Sequence, residues 1–175
     1  LLSLTKTFLI AFIILPISIM IKSFIPKKKI DSDEFFCIGI DYQREPEATI
    51  ELVQELGVKH ILVRFKMWEM DTLVELKEFL SSFKDYTITL KILQDREHIE
   101  DIKLLHQNIT AIFSELYTTV SIFEIGSTIN RAKWGFFSVD EYNHFYKVAY
   151  DIKTIHFPDI KLIGSGVIDF EYHFT

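Results

Sequence analysis

An α/β fold built on a parallel sheet is what the sequence predicts, and three observations predict it. From Ile30 onward, short β-branched or apolar runs alternate with amphipathic stretches of helical period, the pattern of strands joined by crossover helices. Five such units follow one another in strict order, with no low-complexity tract or short repeat between them. Ahead of them stands a hydrophobic segment, Phe8 to Ile21, that carries no charge.

Taken in order, Phe8 to Ile21 and its apolar continuation past Lys22 to Ile25 predict a membrane helix, flanked by Lys6 and by Lys27-Lys28-Lys29 at headgroup level. Residues 1–29 are thus expected to be a single-pass membrane anchor; a cleaved signal peptide is the competitor, although no small-x-small site follows the run. Phe35 to Ile40 is the first strand, with Asp41-Tyr42 at its carboxyl end. Pro46 opens a helix whose buried stripe should be Ala48, Leu52, Val53 and Leu56, and Gly57 ends it. His60 to Phe65 is the second strand. Asp71 should cap the next helix, with Leu73, Leu76, Phe79 and Leu80 on one face. Thr87 to Leu93 is the third strand, followed by Gln94-Asp95-Arg96 and a helical region from Glu97 to Tyr117 with a break near Asn108. Ser121 to Ile125 is the fourth strand, Val139 to Thr154 an amphipathic helix, and Ile160 to Ile163 the fifth strand.

Composition narrows the function classes. A chain of 175 residues that is 49% hydrophobic can bury one sizeable core. Sixteen Phe and seven Tyr suit a packed interior and sugar-sized stacking surfaces. A net charge of −6, with no Arg-rich stripe among aromatics, argues against nucleic acid as a partner. Cys37 is the only cysteine and the six histidines show no metal-ligand spacing, so no disulfide, metal or cofactor is expected. Gly164-Ser165-Gly166 lacks the frame of a serine-hydrolase elbow.

The stretch from Ile122 to Trp134 carries the most functional information: an apolar strand runs into Gly126 and then into a polar loop ending on an aromatic. Glu124-Ile125-Gly126-Ser127-Thr128-Ile129-Asn130 resembles the fourth-strand motif of the large glycoside hydrolase clan with (β/α)8 TIM barrels, roughly Glu-Ile-Gly-Asn-Glu-Pro-Asn. Glu55-Leu56-Gly57-Val58 leading into Val63-Arg64 is similar to the clan's approach to its second strand, and Gly39-Ile40-Asp41-Tyr42 to its first. The similarity spans about residues 35–172. It implies a partial (β/α)8 TIM barrel, about the first five βα units, over residues 30–175, where alternation alone would also serve a doubly wound sheet. A full barrel takes roughly 250 residues, so the chain reads as the amino-terminal portion of one, partnered by the missing carboxyl-terminal half or by another chain.

The resemblance also implies where chemistry would sit. Glycoside hydrolysis uses two carboxyls across the scissile bond, about 5 Å apart in retaining enzymes. Thr128 stands at the clan's acid/base position, and threonine cannot protonate a leaving oxygen near neutral pH; the nucleophile would lie beyond Thr175. Three other carboxylates are weak catalytic candidates: Glu124, Asp95 and Glu171. Glu124, four residues before Thr128, should point into the barrel, either as an acid of tuned pKa or as half of a buried ion pair with Arg64. Asp95 and Glu171, like Asp169, would reach a glycan or else serve as caps and solvated loop charges. Asn130, Arg131, Lys133 and Trp134 form a candidate sugar platform, the alternative being a tryptophan that packs its loop; Asp41 and Arg64 complete the substrate-binding set, and Trp68 with Lys66 and Glu69 makes a similar, smaller case.

These readings predict a membrane-anchored, glycoside-hydrolase-like barrel that acts on or binds a polysaccharide, glycosidase-like if the full-length chain is active. The alternative is a non-catalytic glycan-binding or scaffold module of a polysaccharide export or envelope assembly. The lysine count around the hydrophobic segment favours the cytoplasm, whereas the resemblance implies the periplasmic or extracellular side, so the side stays open.

Overall fold

A computed structural model of the chain describes residues 2–25 and 35–168. The chain divides into two compact units, Leu1–Asp31 and Ser32–Thr175.

The first unit contains helix α1, Leu2–Phe24. The expected membrane-crossing helix is not supported: among the described residues no helix is long and apolar enough to cross a membrane. The apolar run Phe8 to Ile21, bounded by Lys6 and Lys22, spans only about 21 Å at 1.5 Å per residue, against roughly 30 Å of hydrocarbon. Pro16 inside the helix also removes a backbone donor. A single-pass membrane anchor over residues 1–29, and the membrane localisation expected from it, are therefore not supported.

The second unit is an α/β layer. Five strands, β1 (Cys37–Ile40), β2 (His60–Lys66), β3 (Thr87–Leu93), β4 (Ile122–Ile125) and β5 (Lys161–Gly164), form one sheet in the order β1-β2-β3-β4-β5. All four pairings are parallel. The helices between them are α2 (Pro46–Leu56), α3 (Leu73–Leu80), α4 (Arg96–Glu100), α5 (Ile102–Leu116) and α6 (Val139–His156). The strands follow in sequential order without reversal, whereas a doubly wound sheet reverses at a switch point and takes helices on both faces.

Burial follows from that order. Ile61, Val63 and Phe65 of β2, Ile88, Leu90 and Ile92 of β3, and Phe123 and Ile125 of β4 all point to one face and are buried there. They join the helix stripes, Leu76 and Leu80 of α3, Ile109 and Phe113 of α5, Phe145 and Ala149 of α6, in a single core. Phe113 is central, its ring 4.8 Å from that of Phe123 and 5.9 Å from that of Phe157. The opposite face carries Leu62, Arg64, Thr89, Lys91 and Glu124 and is mostly half-buried or exposed.

Three local expectations change. Of the stripe expected on α2, Val53 is buried, joined by Ile50, whereas Ala48 is exposed and Leu52 and Leu56 are 53% and 52% exposed; α2 follows the edge strand β1. Asp71 does not cap α3, because a 3-10 segment, Met67–Thr72, intervenes and Thr72 takes the cap position without a side-chain bond. The break in the third helical region falls at Asp101, not Asn108. Asp101 leaves helical geometry and accepts from the amides of Lys103 (2.9 Å) and Leu104 (3.1 Å), which starts α5.

The burial pattern predicts that Phe113→Ala lowers stability by about 3–5 kcal/mol, as for large aromatic-to-alanine changes in a core. Leu52→Ala should stay within about 0.5 kcal/mol of wild type. Urea unfolding midpoints compare the two, and a large loss in Leu52→Ala would contradict the exposed placement of that side chain.

Candidate functional site

The loops at the carboxyl ends of β1 to β4 gather on one rim and enclose two neighbouring grooves. The first, about 380 Å³, is lined by Gly39, Ile40, Asp41, Gln43, Leu62, Arg64, Lys66, Trp68 and Leu93. The second, about 540 Å³, is lined by Trp68, Gln94, Asp95, Arg96, Ala132, Lys133, Gly135 and Phe137. Trp68 belongs to both, and its side chain is 47% exposed.

Around the first groove the polar side chains brace one another. Lys66 Nζ donates to both carboxylate oxygens of Glu69 at 2.9 and 3.1 Å, and Gln43 Nε2 donates to Glu69 at 3.0 Å. The bond to Lys66 is the main cause that holds the Glu69 carboxyl below its ordinary range, and its counterpart raises Lys66. Beneath them Thr72 Oγ1 donates to the Glu69 carbonyl at 2.8 Å, which leaves the Tyr42 hydroxyl to donate to Thr72 Oγ1 at 2.7 Å. Asp41 Oδ1 accepts from the Gln43 amide at 3.0 Å.

The second groove is built on Arg96. Its Nη1 and Nη2 donate to the two Glu141 oxygens at 2.8 and 2.9 Å, its Nε to Glu100 at 2.7 Å, and Nη1 also to the Gly135 carbonyl at 3.0 Å. Its guanidinium lies 4.3 Å from the Phe137 ring centroid. One forked side chain thus ties the loop after β3 to the loop after β4. Beside it, Asp95 Oδ1 accepts from the His98 amide at 2.9 Å and contacts His98 Nδ1 at 2.6 Å. His98 Nε2 meets Asn108 Nδ2 at 2.8 Å across the Asp101 break. With Asn108 donating, Nε2 accepts and Nδ1 carries a proton toward Asp95.

The motif after β4 is held shut. Gly126 has φ 81°, and a Cβ there would stand 3.2 Å from the Tyr142 ring and 3.4 Å from Phe136. Gln94 clamps Ser127 with two bonds of 2.8 Å, Nε2 to its carbonyl and Oε1 from its amide. Thr128 is buried with φ 55°, and its hydroxyl lies 3.1 Å from that of Ser127.

The sequence-derived residues separate accordingly. Asp41 and Arg64 line the first groove, and Asp95 and Lys133 the second. Asn130 turns away: its amide donates to the Ile168 carbonyl at 2.6 Å and accepts from the Ile168 amide at 3.1 Å. Arg131 is partly buried and engaged. Trp134 ends a 3-10 turn, Ala132–Trp134, and its side chain lies outside the described residues, as do Asp169 and Glu171. Glu124 is buried at 7% exposure, but its partner is Lys91 at 2.7 Å, not Arg64. Register explains the exchange: Glu124 pairs with Lys91 on the adjacent strand, while Arg64 stands a further strand away, about 10 Å in all. The Gly166 amide adds a 3.3 Å bond to Glu124. Sequence reasoning missed Lys91, Arg96 and the central place of Trp68. Sequential strand order would have pointed to Lys91; nothing local in the sequence pairs Arg96 with Glu141, 45 residues away.

A crystal structure of a beta-glycosidase superposes on this chain with a TM-score of 0.54 at 13% sequence identity, covering 69% of this chain and 44% of that one. The likeness is one of fold. The sheet and its helices are therefore glycoside-hydrolase-like in architecture, over less than half of that enzyme's length. No protein-family model matches the chain, and no curated protein matches it.

Two outcomes follow from the polar network. Lys91→Met leaves the Glu124 carboxylate unpaired and should cost about 3–5 kcal/mol, whereas Lys91→Met with Glu124→Leu should recover most of that loss in urea unfolding. The Arg96 bond, and after it the Phe137 amide, lower the Glu141 carboxyl below its ordinary 4.5. Because the folded value is the depressed one, the stabilisation is complete above about pH 4.5 and is lost as pH falls through the folded value. The gap in melting temperature between wild type and Glu141→Gln should therefore be full at neutral pH and close in acid; a gap that is the same at both would remove the Arg96 explanation.

Proposed function

We propose that the rim at the carboxyl ends of the strands binds a polysaccharide without hydrolysing it. The observation that carries this reading is Trp68, an exposed indole shared by two adjoining grooves that also present Asp41, Arg64, Asp95 and Lys133. A pyranose ring stacks on an aromatic face while its hydroxyls bond to flanking polar groups, and two grooves that share Trp68 suit successive sugar units. The glycoside-hydrolase-like fold supports the placement, because such architectures put their ligands at this end of the sheet.

Binding is favoured over hydrolysis by the state of the carboxylates. Thr128 stands where the resemblance puts an acid, buried and bonded to Ser127. Glu124 is consumed by Lys91, and Glu69 by Lys66 and Gln43. Asp95 is the rim carboxylate nearest a catalytic role, yet one oxygen already serves the His98 backbone amide and ring Nδ1. A second reading, a scaffold with no sugar site, rests on the bracing of most of these side chains by one another.

Calorimetric titration of the full chain with a panel of oligosaccharides tests both, alongside an assay for new reducing ends. Saturable binding, weakened at least about tenfold in Trp68→Ala, with no reducing ends released, is the expected result. Turnover would make the protein an enzyme with a relocated acid, and absence of binding across the panel would leave the scaffold.

A further inference from the structure

We infer that the oligosaccharide bound here is anionic, its charged group received by Arg64; this rests on the glycan-binding reading above. Arg64 is the fifth residue of β2 and faces the groove side of the sheet, with Lys66 two residues on in the same direction. Among the basic side chains that line the two grooves, the others are committed. Lys66 is held by Glu69 and Gln43, Arg96 by Glu141 and Glu100, and Lys133 is engaged as well. Arg64, among the described residues, has neither an ion pair nor a side-chain hydrogen bond, and it is exposed.

Its surroundings say what Arg64 would receive. Register puts Arg64 opposite Lys91, and Asp41 follows Ile40, which pairs with Val63. Asp41, Arg64, Lys91 and Glu124 therefore stand in one row across the sheet, two cations in the middle and a carboxylate at each end. Glu124 neutralises Lys91 at 2.7 Å. Asp41 forms no ion pair with Arg64 and instead caps its own loop through the Gln43 amide. A planar fork with five donors and no acceptor matches a carboxylate or sulfate oxygen pair better than it matches sugar hydroxyls. Asp41 beside it accepts from hydroxyl donors, and Trp68 supplies a stacking face. Aromatic face, forked cation and acceptor carboxylate in one groove of about 380 Å³ fit a sugar ring that bears both hydroxyls and an anionic group, a uronate or a sulfate ester.

The test compares three oligosaccharides of equal length on the full chain by calorimetry: a uronate oligomer, its methyl ester, and a sulfated neutral oligomer. Wild type should prefer a charged ligand over the methyl ester by roughly tenfold or more, the scale of a charge-assisted bond, with the preference shrinking as salt rises. Whichever charged ligand is preferred names the anion. Arg64→Gln, checked for an unchanged melting temperature, should bring charged-ligand affinity down to that of the ester, and Arg64→Lys should restore only part of it. Equal binding of ester and charged ligands by wild type, or a preference that survives Arg64→Gln, overturns the inference and leaves glycan binding standing. Failure of all three ligands to bind removes the glycan-binding reading itself.

Discussion

One-sided burial organises this molecule. Because β1 to β5 run parallel and in sequence order, each crossover helix returns on the same side, and alternate residues of the strands, most of them apolar, face the same helical layer. Phe113 against Phe123, with Phe157 beyond, marks where that layer is thickest. Hydrophobic burial is non-directional, but strand alternation gives it a direction: what is apolar at Ile61, Val63 and Phe65 leaves Leu62, Arg64 and Lys66 to the other side. Parallel strands also carry all their outgoing loops to one end, so the polar rim is a consequence of the same topology.

The rim is rigidified by charge as much as the core is by apolar contact. Arg96 bonds to two carboxylates and a carbonyl and stacks on Phe137, joining loops that are far apart in the chain. Gln94 and the Ser127-Thr128 pair form a second brace at the end of β4. Such self-satisfied clusters shape a surface but leave few groups for chemistry. That contrast gives Arg64, unpaired among the described residues, and the exposed Trp68 their weight.

The strands were legible because their period is two and their flanks are polar, and β3 needed no revision. Helix α3 was legible from its stripe, Leu73, Leu76, Phe79 and Leu80; α2 was not, because Leu52 and Leu56 keep the spacing of a buried face while the helix has the edge strand beneath it. The hydrophobic segment misled for another reason. Apolar composition from Phe8 to Ile21 is plain, but crossing a bilayer is a matter of length, and this run falls short of it.

By itself, the sequence determined the alternation of strand and helix, the buried carboxylate at Glu124, and the rim positions of Asp41, Arg64 and Lys133. These are properties of local period and residue identity. Tertiary structure decided the rest: that Glu124 answers to Lys91, that Asn130 turns to Ile168, that Trp68 stands between the grooves, and that Arg96 spans two loops. Each depends on which strands are neighbours and in what register, and register is set by packing across the whole sheet, which no local pattern encodes.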